Sequence, residues 1–167
     1  MGKTKIRAIV IDTNVYGWYL AYALDGSRKT EAINSFNLLS KILELKIPTV
    51  LGTETIEREI KDANKPALSQ LFYSVVNGII KKTERVEKLS WDYYNHCRKE
   101  KLNLVTIDDC EIVASTVISG TKIFATENRR TLNNPKVVKA IGDVNFAGGF
   151  GGVKIMDSKN ASGDIFA

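Results

Sequence analysis

Hydrophobic positions along this chain recur in two periods, and each change of period marks an element. Residues 6–11 read as a first strand, closing on Ile9-Val10-Ile11, a β-branched apolar run suited to a strand covered on both faces in a parallel sheet. The run stops at Asp12-Thr13-Asn14, and Tyr16 to Leu24 is aromatic and apolar up to a polar break at Asp25-Gly26-Ser27. From Thr30 to Leu45, Ile33, Phe36, Leu39 and Leu43 recur at helical spacing, predicting a surface helix packed on a sheet. Pro48 to Gly52 reads as a short strand, and Thr53 caps a helix running to Lys61. After Asn64-Lys65-Pro66, the positions Leu68, Leu71, Phe72, Val75 and Ile79 predict the inner face of another amphipathic helix. Thr83 to Leu89 alternates polar and apolar residues, as a strand or extended link does, and Ser90 is expected to cap a helix reaching about Lys101.

Thr106 and Asp109 then stand in the capping-box relation, with aspartate in the glutamate's place. Gly120 ends that helix, and Thr121 to Thr126 is the next buried strand. Glycines crowd positions 142–152, read as a flexible turn before a last strand at Val153 to Met156. This order predicts an α/β protein, a three-layer α/β/α sandwich with a mostly parallel central sheet. Neither a repeat nor a linker divides the 167 residues, so one domain over 1–167 is expected, its stretch 142–167 forming the glycine-rich turn and last strand.

Composition changes this picture little. The hydrophobic share of 44% is ordinary for a globular chain. Two cysteines, Cys97 and Cys110, are too few for a disulfide framework and suggest a reducing compartment. No apolar run is long enough for a membrane span or a signal peptide, so a cytoplasmic protein with no membrane partner is expected. The net charge of +5 admits a polyanionic partner and equally serves solubility.

The acids change it more. Asp12 ends the first strand, where open α/β sheets form their ligand crevice. Two readings are open there: a cap for the following helix, or a metal ligand. Glu59, Asp109 and Asn128 also fall where helices begin or strands end, so the four can share one sheet edge. Hard divalent cations take oxygen ligands, and carboxylates gathered without one repel each other.

In this order and spacing the chain resembles the PIN-domain ribonucleases, which include VapC-type toxins and ribosomal RNA-processing nucleases. The resemblance is carried by Val10-Ile11-Asp12-Thr13-Asn14, by Glu59-Ile60 six positions after Thr53, by Asp109-x-x-Ile112-x-Ala114, and by an apolar strand running into Thr126-Glu127-Asn128. It covers residues 6–132. Counting from Asp108 instead would put Glu111 at the buried isoleucine position, so Asp109 is the matching acid, and Asp108 is left to solvent or the cap. Glu111 lies about 200° around the helix from Asp109 and does not readily share its ligand.

The resemblance implies a metal-dependent endoribonuclease hydrolysing RNA phosphodiester bonds, a VapC-type toxin or an RNA-processing enzyme. Mg²⁺ or Mn²⁺ would be held by Asp12, Glu59 and Asp109 with Asn128, water would attack, and the products would carry 5′-phosphate and 3′-hydroxyl ends. Its alternative is a non-catalytic RNA-binding or scaffold protein on the same fold. A cognate antitoxin protein and a homodimer are the partners it implies besides RNA. Asn128 is an amide where many relatives carry aspartate, so one well-held metal is expected; Glu127 is adjacent, but neighbours in extended chain point opposite ways. Thr13, Asn14 and Thr126 are placed to orient Asp12 and a metal-bound water. Arg129 and Arg130 suit RNA phosphates or a solvated loop equally.

The remaining residues read as structure. Trp18, Tyr19 and Tyr22 suit core or a dimer surface better than base stacking. His96 and Cys97 have no second ligand at metal spacing, and Cys110 reads as a packed apolar residue. The run Gly148 to Gly152 lacks the Lys-Ser/Thr of a phosphate loop.

Overall fold

The computed structural model describes residues 6–167. In chain order the elements are β1 (Ala8–Ile11), α1 (Thr13–Ala23), α2 (Thr30–Leu45), β2 (Thr49–Thr53), α3 (Glu54–Asp62), α4 (Pro66–Val75), β3 (Gly78–Ile80), α5 (Glu84–Lys99), α6 (Ile107–Ile118), β4 (Ile123–Ala125), α7 (Pro135–Gly148), β5 (Lys154–Met156) and α8 (Ser158–Phe166). The strands form one sheet in the order β3-β2-β1-β4-β5, and every neighbouring pair is parallel. The protein is therefore an α/β three-layer sandwich, as the alternation of strands and helices predicts.

β1 is central because both of its faces are apolar. Ile9, Val10 and Ile11 are wholly buried, and Val10 lies beside Leu51 on one side and Phe124 on the other. Right-handed crossovers put α1, α2 and α4 on one face and α5 to α7 on the other, while α3, leaving the end of β2, touches both α4 and α6. The packing follows: α1 and α4 lie against α2, α5 lies against α6 and α7, and α8 returns to α2.

Local boundaries differ from the sequence pattern in four places. The core face of α2 is Ala32, Ser35, Leu38, Leu39 and Ile42, while Phe36 receives the rings of Tyr19 and Tyr22 from α1. Ile79 leaves the expected helix and pairs in β3, because α4 ends at Val75. Thr83 caps α5 through the Val86 amide, so residues 84–89 are helical and Ser90 lies inside the helix, donating to the Val86 carbonyl. The expected turn over 142–152 is instead largely the last two turns of α7 and its close.

Two helices, α7 and α8, were not expected. Asn134 caps α7 and Pro135 opens it, and Val137, Ala140, Ile141 and Asn145 form its buried face. That burial outweighs the cost of Gly142, about 1 kcal/mol relative to alanine. Gly149, at φ 70°, adopts the left-handed conformation that ends α7. Asp157 caps α8, whose Ser158 and Ala161 are buried.

The buried Tyr93 hydroxyl of α5 donates to Asn145 of α7. Asn145→Ala should destabilise the protein by about 1–3 kcal/mol, since the hydroxyl loses its acceptor. The check is urea unfolding; an unchanged midpoint would mean α7 does not dock there.

Candidate active site

From β1 the chain moves to β2, and from β4 it moves the opposite way to β5. The carboxyl ends of β1 and β4 therefore flank a topological switch point, where open α/β sheets leave a crevice. Asp12 leaves β1 there, its N–H on the Ala125 carbonyl at 2.9 Å, and Thr126 to Asn128 leave β4 beside it.

Asp12 is 6% exposed. One carboxylate oxygen accepts the Thr13 N–H at 2.8 Å and caps α1. The other accepts the Thr126 hydroxyl at 2.7 Å and the Asn14 amide at 3.1 Å. Asn14 in turn accepts the Glu127 N–H at 3.1 Å, tying the start of α1 to the end of β4. Burial nevertheless pushes the Asp12 carboxyl up to about 7; the Thr126 hydroxyl opposes this, and Glu59 and Asp109 reinforce it. So Asp12 is a cap, and it is also a buried carboxylate in the field of two others.

Glu59, half-buried on α3, accepts a hydrogen bond from the Thr13 hydroxyl. Burial raises its pKa, and Asp108 and Asp109 raise it further. Asp109 closes a reciprocal capping box: the Thr106 N–H donates to its carboxylate at 3.0 Å, and its own N–H donates to the Thr106 hydroxyl at 3.1 Å. Its pKa is likewise raised, chiefly by burial. Asp12, Glu59 and Asp109 thus share one neighbourhood. Among the described residues, however, no three His, Cys, Asp or Glu side chains converge closely enough to hold a metal ion as they stand. The hydrogen bonds say why: Glu59 is held by Thr13, and Asp109 is turned onto its own helix.

The fourth position is engaged locally too. The Asn128 amide oxygen accepts the Thr131 N–H at 3.3 Å, and its N–H donates to the Thr126 hydroxyl at 3.1 Å. Glu127 turns to α8: one oxygen accepts the Ser158 N–H at 2.9 Å, and the other is buried without a partner among the described residues. Arg129 and Arg130 are exposed just beyond. Asp108 pairs with Arg58 at 2.8 Å. Glu111 is turned toward Lys82 at 2.7 Å and Thr55 at 2.9 Å. Neither Glu127's attachment to α8 nor the Glu111 pair was foreseen; the first needs α8, and the second needs α3 laid against α6.

Among the described residues His96, Cys97 and Cys110 make no hydrogen bond to these acids, although both thiols lie in the field of Asp109. His96 faces Asp143 across 3.9 Å. Cys97 and Cys110 are buried and free, and burial pushes both thiols up, away from the nucleophilic thiolate. Gly148 to Gly152 form the close of α7 and the approach to β5, not a strand-to-helix loop.

The fold places the chain among parallel three-layer α/β proteins with acids at the switch point. It is similar to a chain in the crystal structure of VapBC2 from Rickettsia felis bound to a DNA fragment from their promoter, with a TM-score of 0.54 and 12% identity. The match covers 77% of this chain and 93% of that one. At that identity the likeness is one of fold. No protein-family model matches the sequence, and no curated protein does. Among the described residues no helix is long and apolar enough to cross a membrane.

The raised carboxyls have a consequence for stability. Between Asp12's ordinary value of 3.8 and its folded value of about 7, the native state keeps a proton that the unfolded chain has lost. Stability should therefore fall as pH rises through that window in metal-free protein. Asp12→Asn should flatten the decline, measured by urea unfolding in EDTA; equal slopes in the two proteins would contradict the buried, charge-strained Asp12.

Proposed function

We propose that this protein is a divalent-metal-dependent endoribonuclease whose metal site is built on Asp12, Glu59 and Asp109. One observation carries the reading. Among the described residues no lysine or arginine lies within ion-pair distance of these three carboxylates, although cations stand nearby. Arg58 pairs with Asp108 and Lys82 with Glu111. Three mutually repelling carboxylates at a switch point, with the nearby cations on the outer acids, fit a hard external cation. The all-oxygen donor set agrees with Mg²⁺ or Mn²⁺.

Asp12, Glu59 and Asp109 would hold the ion, with the Asn128 amide oxygen a neutral fourth donor. Glu59 and Asp109 would exchange their present hydrogen bonds for it. Thr126 and Asn14 keep Asp12 in one orientation, and the Thr13 hydroxyl that Glu59 releases is placed to orient a metal-bound water. When bound, the ion supplies a water of lowered pKa and neutralises charge building on the scissile phosphate. No histidine or thiol takes part. Arg129 and Arg130, exposed beside Asn128, suit RNA phosphates.

The likeness of fold to a chain of the R. felis VapBC2 complex agrees with a toxin-type role and a cognate antitoxin protein as partner; a homodimer is the assembly we propose. A non-catalytic RNA-binding role on this fold has one observation in its favour, the engagement of Asn128 and Asp109 in local caps.

Incubation with structured RNA separates the two. The protein should cleave in Mn²⁺ and not in EDTA. Asp12→Ala and Glu59→Ala should lose cleavage while keeping a native circular dichroism spectrum. Arg129→Ala with Arg130→Ala should flatten the salt dependence of RNA binding, by about 0.7 in slope for each single-strand phosphate that is no longer neutralised. Undiminished cleavage by purified Asp12→Ala would overturn the catalytic assignment.

A further inference from the structure

Glu111 is 8% exposed, yet it sits among the apolar residues of α6. A carboxylate in such a place is costly unless both oxygens are satisfied. They are: Oε1 accepts from Lys82 Nζ at 2.7 Å, and Oε2 accepts the Thr55 hydroxyl at 2.9 Å. Lys82 is itself tied down, its backbone N–H donating to Glu54 at 2.7 Å. One turn away on the same pair of helices, Arg58 meets Asp108 at 2.8 Å.

These bonds form two antiparallel rungs between α3 and α6, Thr55 with Glu111 and Arg58 with Asp108. Glu59 follows Arg58 in sequence, and Asp109 follows Asp108. The rungs therefore set how far apart the two helices lie where they carry Glu59 and Asp109. The Arg58–Asp108 rung is half exposed, at 51% and 44% of its side chains, and such pairs hold geometry weakly. The Glu111 rung is the buried one, and breaking it would strand a charge.

We propose that Glu111, clamped by Lys82 and Thr55, is a positioning residue that fixes the separation of Glu59 and Asp109 for a divalent cation. It rests on the metal-site reading above. Glu111 does not touch the ion; it acts through the spacing of α3 and α6.

Charge and geometry predict opposite signs at Lys82, and this makes the test decisive. Removing a nearby cation should tighten cation binding if only the local field matters. If the clamp matters, it should weaken binding, because Glu111 is released. The measurement is Mn²⁺ binding by RNA-free protein, read from the electron paramagnetic resonance signal of free Mn²⁺, with melting curves in EDTA alongside.

Lys82→Met should bind Mn²⁺ about tenfold more weakly than wild type, the size of effect known for residues that orient metal ligands. The double variant Lys82→Met with Glu111→Leu leaves neither a stranded charge nor an acceptor for Thr55, so it should melt near wild type and still bind weakly. It carries the test if Lys82→Met alone fails to fold. Binding by either variant as tight as wild type would overturn the clamp. Failure of the metal site itself looks different: wild type and Asp12→Ala would then bind Mn²⁺ equally poorly, and the clamp would fall with it.

Discussion

A carboxylate buried at the end of the central strand is the constraint on which the rest of this structure depends. Asp12 is placed by β1, whose apolar faces oblige it to run through the middle of the sheet. It must then emerge where the chain reverses direction between β1 and β4. Three hydrogen bonds from Thr13, Asn14 and Thr126 fix its orientation. They do not offset burial, which holds its pKa near neutrality. Asn14 is the joint of this arrangement, because one amide spans Asp12 and the backbone of Glu127.

Around that constraint the charges sort into two groups. Asp108 and Glu111 have cationic partners. Asp12, Glu59 and Asp109 have hydroxyls and backbone amides instead. The outer pairs brace the helices, and the inner carboxylates are left with charge that the protein's own hydrogen bonds orient without neutralising. This division also accounts for the present side-chain positions. An uncompensated carboxylate takes the nearest donor, so Glu59 turns to Thr13 and Asp109 to the amide of Thr106.

Much of this was legible in the sequence, for identifiable reasons. β1 and β4 announce themselves as apolar runs ending in polar residues, and a strand buried on both faces can hardly read otherwise. The capping box of α6 is local, so Thr106 and Asp109 reveal it three residues apart. The glycines of α7 and the small polar residues of α8 hide those helices, because their stability comes from burial against α5 and α2 and not from propensity. Pairings distant in sequence, such as Thr55 with Glu111, carry no local signal. Asn128 and Glu127 were identifiable as residues, but their directions depend on a turn at Thr131 and on a helix that follows β5.

The likeness to a known complex concerns fold, so the function rests on whether the inner acids gather around an ion. Crystals soaked in Mn²⁺ and measured for anomalous scattering at the manganese edge address this directly. The account predicts one manganese peak bounded by Asp12, Glu59 and Asp109, with Asp109 rotated away from the Thr106 amide and Glu59 from Thr13. Manganese absent from that crevice, with Asp109 still capping α6 and Glu59 still on Thr13, would contradict it.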